Sequence, residues 1–125
     1  MLRLLIVDDV PEVRRDLSLL LSLVGKLEIA GEAANGLEAI QQTETLRPDV
    51  VLLDLEMPTL DGYEASRQIK TRWPACRVVV LSVHSYCVAR KKAALAGVDD
   101  FIEKGAPLLE ILRKIGLPDE NVNNT

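Results

Sequence analysis

Short, nearly unbroken apolar runs alternate along this chain with longer stretches in which apolar residues return every three or four positions. The runs at residues 2–7, 50–53 and 78–81 are almost wholly Val, Ile and Leu, the composition of parallel strands covered on both faces. Residues 27–32 and 98–103 follow the same pattern but admit Glu28, Glu32, Asp99, Asp100 and Glu103, which a strand tolerates where one side meets water. The first three runs therefore belong at the centre of a sheet and the last two at its edges.

Between the runs the period changes to that of helices. Val13, Leu17, Leu20, Leu21 and Val24 recur behind Pro11, a residue suited to a first helical turn. A second helix spans residues 36–46 and stops before Pro48, and a third spans roughly 62–73 and stops before Pro74. Residues 86–96 form a fourth helix ending at Gly97, and Pro107 opens a fifth that presents Leu108, Ile111, Leu112 and Ile115. Regular alternation of strand and helix is the mark of βα units around a parallel sheet. With runs two and five outermost, the expected architecture is a doubly wound, flavodoxin-like sheet of five parallel strands in the order 2-1-3-4-5, with five helices.

Length and composition narrow the functional classes. A chain of 125 residues that is 48% apolar closes one core, so one domain must carry the function; it is expected over residues 1–117, followed by a polar tail at 118–125. Acidic residues outnumber basic ones, 19 to 15, and the net charge of −4 offers no general attraction to nucleic acid or an anionic membrane. Cys76 and Cys87 lie in no metal or redox spacing and read as two reduced thiols. The apolar opening is cut short by Asp8 and Asp9, well before the length of a signal core or a membrane span, so a cytoplasmic location is expected.

In open α/β sheets the site lies beyond the carboxyl ends of the strands. Here the first strand ends in Asp8 and Asp9, the third in Asp54, the fourth in Ser82 and the fifth in Lys104. Each alone has a bland explanation as a cap, a strand-end hydroxyl or a solvated lysine. Together they bring three carboxylates, a hydroxyl and an ammonium from four strands to one sheet edge. Crowded carboxylates repel and need a cation, and Mg²⁺ suits hard oxygen ligands while retaining waters and bridging to phosphoryl groups.

These residues carry a resemblance to the CheY-like receiver domains of two-component signalling, over nearly the whole chain. Asp8-Asp9 match the family's acidic pair, and Asp54-Leu55-Glu56-Met57-Pro58 followed by Asp61-Gly62 matches its phosphoacceptor segment. Ser82 stands at its hydroxyl position, Phe101 at its switch aromatic and Lys104 at its lysine. The resemblance implies that Asp54 takes a phosphoryl group from a histidine kinase or phosphotransfer protein. It implies Mg²⁺ held by Asp9, Asp54 and the backbone carbonyl of Glu56, with Asp8 acting through a metal-bound water. Ser82 and Lys104 would contact the phosphoryl group, Ser82 and Phe101 would form the switch, and Glu56 and His84 would tune dephosphorylation. Output would pass to a downstream protein or tethered domain through the face formed by the fourth helix, fifth strand and fifth helix. The chain departs from the pattern after Lys104, where Gly105 and Ala106 replace the common proline, and Phe101 lacks the phenol hydroxyl of the commoner tyrosine.

The residue chemistry agrees with that reading. Phosphoryl transfer spreads charge over three equatorial oxygens, so positioning and neutralisation are the protein's task, and a central carboxylate is a competent nucleophile. The expected activity is that of a phosphoacceptor switch rather than a turnover enzyme. The competing class is an aspartyl-nucleophile phosphatase, which also combines aspartate, Mg²⁺ and lysine; it carries a spaced DxD pair, whereas Asp8 and Asp9 are adjacent. A flavin module of this fold is disfavoured because Asp8-Asp9-Val10-Pro11 is no phosphate cradle.

Overall fold

In the computed structural model, which describes residues 1–55, 62–82 and 97–117, five parallel strands form one sheet. The element order is β1 (Leu2–Val7), α1 (Pro11–Ser22), β2 (Leu27–Ala33), α2 (Gly36–Leu46), β3 (Val50–Asp54), α3 (Gly62–Arg72), β4 (Arg77–Ser82), β5 (Asp100–Glu103) and α4 (Leu108–Ile115). The strand order is β2-β1-β3-β4-β5, as the charge distribution among the apolar runs predicts. The fourth helix expected at residues 86–96 and the tail at 118–125 lie outside the described residues, so α4 is the fifth helix of the sequence pattern.

Strand residues alternate between two apolar layers because successive side chains leave opposite faces of a sheet. Leu5, Val7, Val51, Leu53, Val78, Val80 and Phe101 pack on one face with Ala39 and Ile40 of α2 and Ala65 and Ile69 of α3. Leu4, Ile6, Val50, Leu52, Val79, Leu81 and Ile102 pack on the other with Leu21 of α1 and Ile111, Leu112 and Ile115 of α4. Each side of the sheet is thus covered by helices, which explains why the three inner strands carry almost no polar residue.

Helix ends follow local chemistry. The Asn35 side chain accepts the Glu38 N–H at 2.9 Å, while the Glu38 carboxylate accepts the Ala34 N–H at 3.2 Å, a reciprocal cap for α2. Pro107 precedes α4, and Gly116, at φ +114°, ends it in the left-handed conformation. In α1 the sequence pattern is only half realised. Leu21 is buried and Leu17 and Val24 pack against the core, but Val13 and Leu20 stay exposed along with Leu19 and Leu23. The apolar arc of this helix is wider than the strip the sheet can cover.

Register then decides what meets at the carboxyl edge. Val7 of β1 lies beside Leu53, Asp54 beside Leu81, and Ser82 beside Glu103. The residue that follows each of these strand ends therefore enters one shared rim. Lys70 holds the opposite edge: its Nζ donates to the carbonyls of Pro74 and Cys76 at 3.0 and 2.9 Å and pairs with Asp99 at 2.9 Å. Asp99 also accepts the Val78 N–H at 2.7 Å, so α3, β4 and the approach to β5 are pinned together.

Candidate functional site: an acidic pocket at the carboxyl edge

Four strand ends supply the site. The Asp8 N–H donates to the Ala33 carbonyl at 3.1 Å, which extends β1 pairing by one residue before the chain turns into α1. The Asp8 side chain then accepts the Val10 N–H at 2.9 Å, fixing the turn locally. Arg14, one turn into α1, donates through Nη1 to the Asp8 carbonyl at 2.6 Å and through Nε to Glu32 of β2 at 3.1 Å.

Asp54 ends β3, and the Leu55 N–H continues the ladder to the Leu81 carbonyl at 3.0 Å, so the acid projects from a strand paired through its last residue. Gly62 makes that position possible. A Cβ there would come within 2.8 Å of the Asp54 carbonyl oxygen and of Leu55 Cα, so only glycine lets α3 start against the end of β3. On the other side, the Lys104 N–H donates to the Ser82 carbonyl at 2.9 Å, placing the hydroxyl and ammonium residues side by side. Gly105, at φ +96°, turns the chain immediately afterwards, and no cis peptide bond occurs among the described residues.

The result is a convergence of charge at a largely buried strand edge. One carboxylate oxygen each from Asp8, Asp9 and Asp54 lies within 4.8 Å of the others. Asp8 and Asp54 are only 3% and 2% exposed, Ser82 is fully buried, and Asp9 is half-buried at the opening. Lys104 Nζ stands 2.9 Å from Asp54 Oδ1, which offsets one negative charge and leaves the remaining two acids uncompensated by that lysine. A set of three hard carboxylate oxygens, partly open to water, fits the donor preference of Mg²⁺. Asp8, Asp9, Asp54 and Lys104 are therefore brought together, and Ser82 adjoins Lys104 through the backbone.

Phe101 belongs to the apolar core. It is 5% exposed and packed in the apolar layer beneath α2 and α3. Its carbonyl accepts a 2.8 Å hydrogen bond from Lys114 of α4, which ties β5 to that helix. Glu56 and His84, the residues expected to flank the pocket and tune it, fall outside the described residues, as do Met57, Pro58 and Asp61. Sequence reasoning missed Arg14, whose reach to Asp8 and Glu32 had one available signal: it lies six residues after Asp8 on the first helix.

Fold and pocket together define a doubly wound α/β domain with a cation-ready acidic site at the carboxyl edge of its sheet. Residues 4–116 match the family model of the response regulator receiver domain, and the chain belongs to that family, the receiver domain of two-component response regulators. Among curated relatives, response regulator GacA of Pseudomonas viridiflava is 34% identical over 117 residues, covering 94% of this chain and 55% of that protein. A protein-glutamate methylesterase/protein-glutamine glutaminase of Alkalilimnicola ehrlichii is 43% identical over 104 residues, covering 82% of this chain and 26% of that protein. The response regulator domain of CheB from Thermotoga maritima superposes with a TM-score of 0.82 at 32% identity, covering 92% of this chain and 93% of that one. The chain thus spans between about a quarter and about half of these two curated relatives. No described helix is long and apolar enough to cross a membrane.

Proposed function

We propose that Asp54 is the phosphoacceptor of this receiver domain and that Asp8 and Asp9 complete its cation site. The observation that carries the reading is the convergence of three carboxylates within 4.8 Å, with Lys104 2.9 Å from the central one. A carboxylate oxygen of Asp54 attacks the phosphorus of a phosphohistidine or small acyl phosphate. A new O–P bond forms as the bond to the leaving imidazole or carboxylate breaks, in line and with little covalent help from the protein. Lys104 exchanges part of its contact with Asp54 for a phosphoryl oxygen, and the buried Ser82 hydroxyl donates to another. Asp9, Asp54 and the Glu56 carbonyl would hold Mg²⁺ directly and Asp8 through a bound water, and the ion would supply the remaining neutralisation of phosphoryl charge.

The same reading makes the domain, residues 1–117, a switch rather than a turnover enzyme, working in the cytoplasm between a histidine kinase or phosphotransfer protein and an output partner. Ser82 and Lys104 sit at the ends of β4 and β5, and Phe101 lies within β5, so a shift at the phosphoryl group is felt along the strand that Lys114 ties to α4. Support also comes from relatives whose remaining length lies beyond the matched region, consistent with an output domain tethered to a receiver. The test is to incubate the protein with acetyl phosphate and Mg²⁺. One hydroxylamine-sensitive phosphate per chain is expected in wild type, none in Asp54→Asn, and none when EDTA replaces the metal. Continuous hydrolysis of a phosphomonoester would favour the phosphatase reading instead.

A further inference from the structure

We infer that Arg14 is a positioning residue for the acidic pair, with Glu32 as its anchor: a clamp running from β2 through α1 to the peptide that joins Asp8 and Asp9. The inference deepens the cation-site reading and rests on it.

The geometry is specific. Arg14 Nη1 reaches the Asp8 carbonyl at 2.6 Å, and Nε reaches Glu32 Oε1 at 3.1 Å. The guanidinium side chain is only 17% exposed. A planar guanidinium that satisfies two acceptors at once is held in one orientation, and it imposes that orientation on the carbonyl it grips. The carbonyl of Asp8 belongs to the same rigid peptide plane as the Asp9 N–H. Rotation of that plane would swing Asp8 and Asp9 relative to each other and away from Asp54. The Val10 N–H and the Ala33 carbonyl hold the Asp8 carboxylate and N–H, and Arg14 holds the remaining polar group of that residue. Glu32 keeps the cation from turning toward the acids themselves, where it would compete for the site.

Charge alone predicts the opposite of positioning, which makes the two separable. Arg14 is a positive charge beside a cation site, so by Coulomb repulsion its removal should tighten metal binding. If its role is to align the pair, removal should loosen binding despite the lost repulsion. Partners that orient metal ligands cost about 10–100-fold in affinity when removed, and the opposed charge effect places the expected loss at the lower end.

The experiment is calorimetric titration of Mg²⁺ into the whole chain with no phosphoryl donor present, for wild type, Arg14→Gln, Arg14→Lys and Glu32→Gln. Arg14→Gln should raise the dissociation constant by about tenfold. Arg14→Lys keeps the charge but cannot span both acceptors and should also bind more weakly than wild type. Glu32→Gln leaves the fork without its ionic anchor and should give a smaller loss. The amide resonances of Asp9 and Val10 should move in metal-free Arg14→Gln, reporting a reoriented peptide before any metal is added. Unchanged or tighter Mg²⁺ binding in Arg14→Gln would overturn the clamp. If Arg14→Gln fails to fold, undiminished affinity in both Arg14→Lys and Glu32→Gln would overturn it equally. A wild-type chain that binds no Mg²⁺ would overturn the cation-site reading itself, and the clamp with it.

Discussion

Three carboxylates held within 4.8 Å of one another, with one lysine against them, store repulsion in the fold when no cation is present. Neutralising Asp9, which stands half-buried at the opening, should relieve part of it. Asp9→Asn is expected to raise metal-free stability by on the order of 1 kcal/mol, about 4 °C in melting temperature for a domain of this size, while losing Mg²⁺-dependent phosphorylation. Thermal melts in EDTA check the first half, and a variant less stable than wild type would contradict shared repulsion. A second residue-scale expectation concerns Cys76, whose thiol burial pushes up to about 11, with Lys70 opposing and Asp99 and Asp49 adding to the rise. An unfolded thiol ionises near 8.5, so the stability linked to this group is complete below about pH 8.5 and declines as pH rises toward 11. Wild type should exceed Cys76→Ala in urea midpoint at pH 8, and the gap should narrow by pH 10. A gap independent of pH would show that burial does not hold the proton.

At the scale of elements, the strands were legible and the helix faces less so. Parallel strands covered on both sides must be apolar almost throughout, and that requirement is written directly into residues 50–53 and 78–81. The acids and the lysine were legible because each interrupts or ends such a run. Val13 and Leu20 keep the helical period yet stay exposed, because helical spacing gives direction around an axis but not how far the neighbouring sheet extends. Arg14 was hidden for a related reason: a solvated arginine and one that grips a loop carbonyl look the same in sequence. Gly62 shows the reverse, since a glycine beginning a predicted helix has a packing reason only the structure reveals. Gly62→Ala should place its Cβ against Asp54 and Leu55 backbone, at a cost of about 1–3 kcal/mol that the helix-forming gain of alanine offsets only in part. A lower urea midpoint together with slower labelling of Asp54 is expected. Equal stability would mean that α3 can move off β3 freely.

Seen as a whole, the molecule gathers its chemistry at one end of a sheet whose order follows from where charge was admitted into the strands. A net charge of −4 offers no general attraction to a polyanion, and the family match over residues 4–116 directs attention to the acidic strand ends. On the proposed reading the signal begins at one carboxylate, Asp54. The direct measurement is to phosphorylate the chain with acetyl phosphate and Mg²⁺, trap the acyl phosphate by borohydride reduction, and map the resulting homoserine by peptide mass analysis. Homoserine at position 54 alone is the predicted result. Homoserine at position 8 or 9 instead, or no reducible acyl phosphate in a protein that binds Mg²⁺, would contradict the assignment of Asp54.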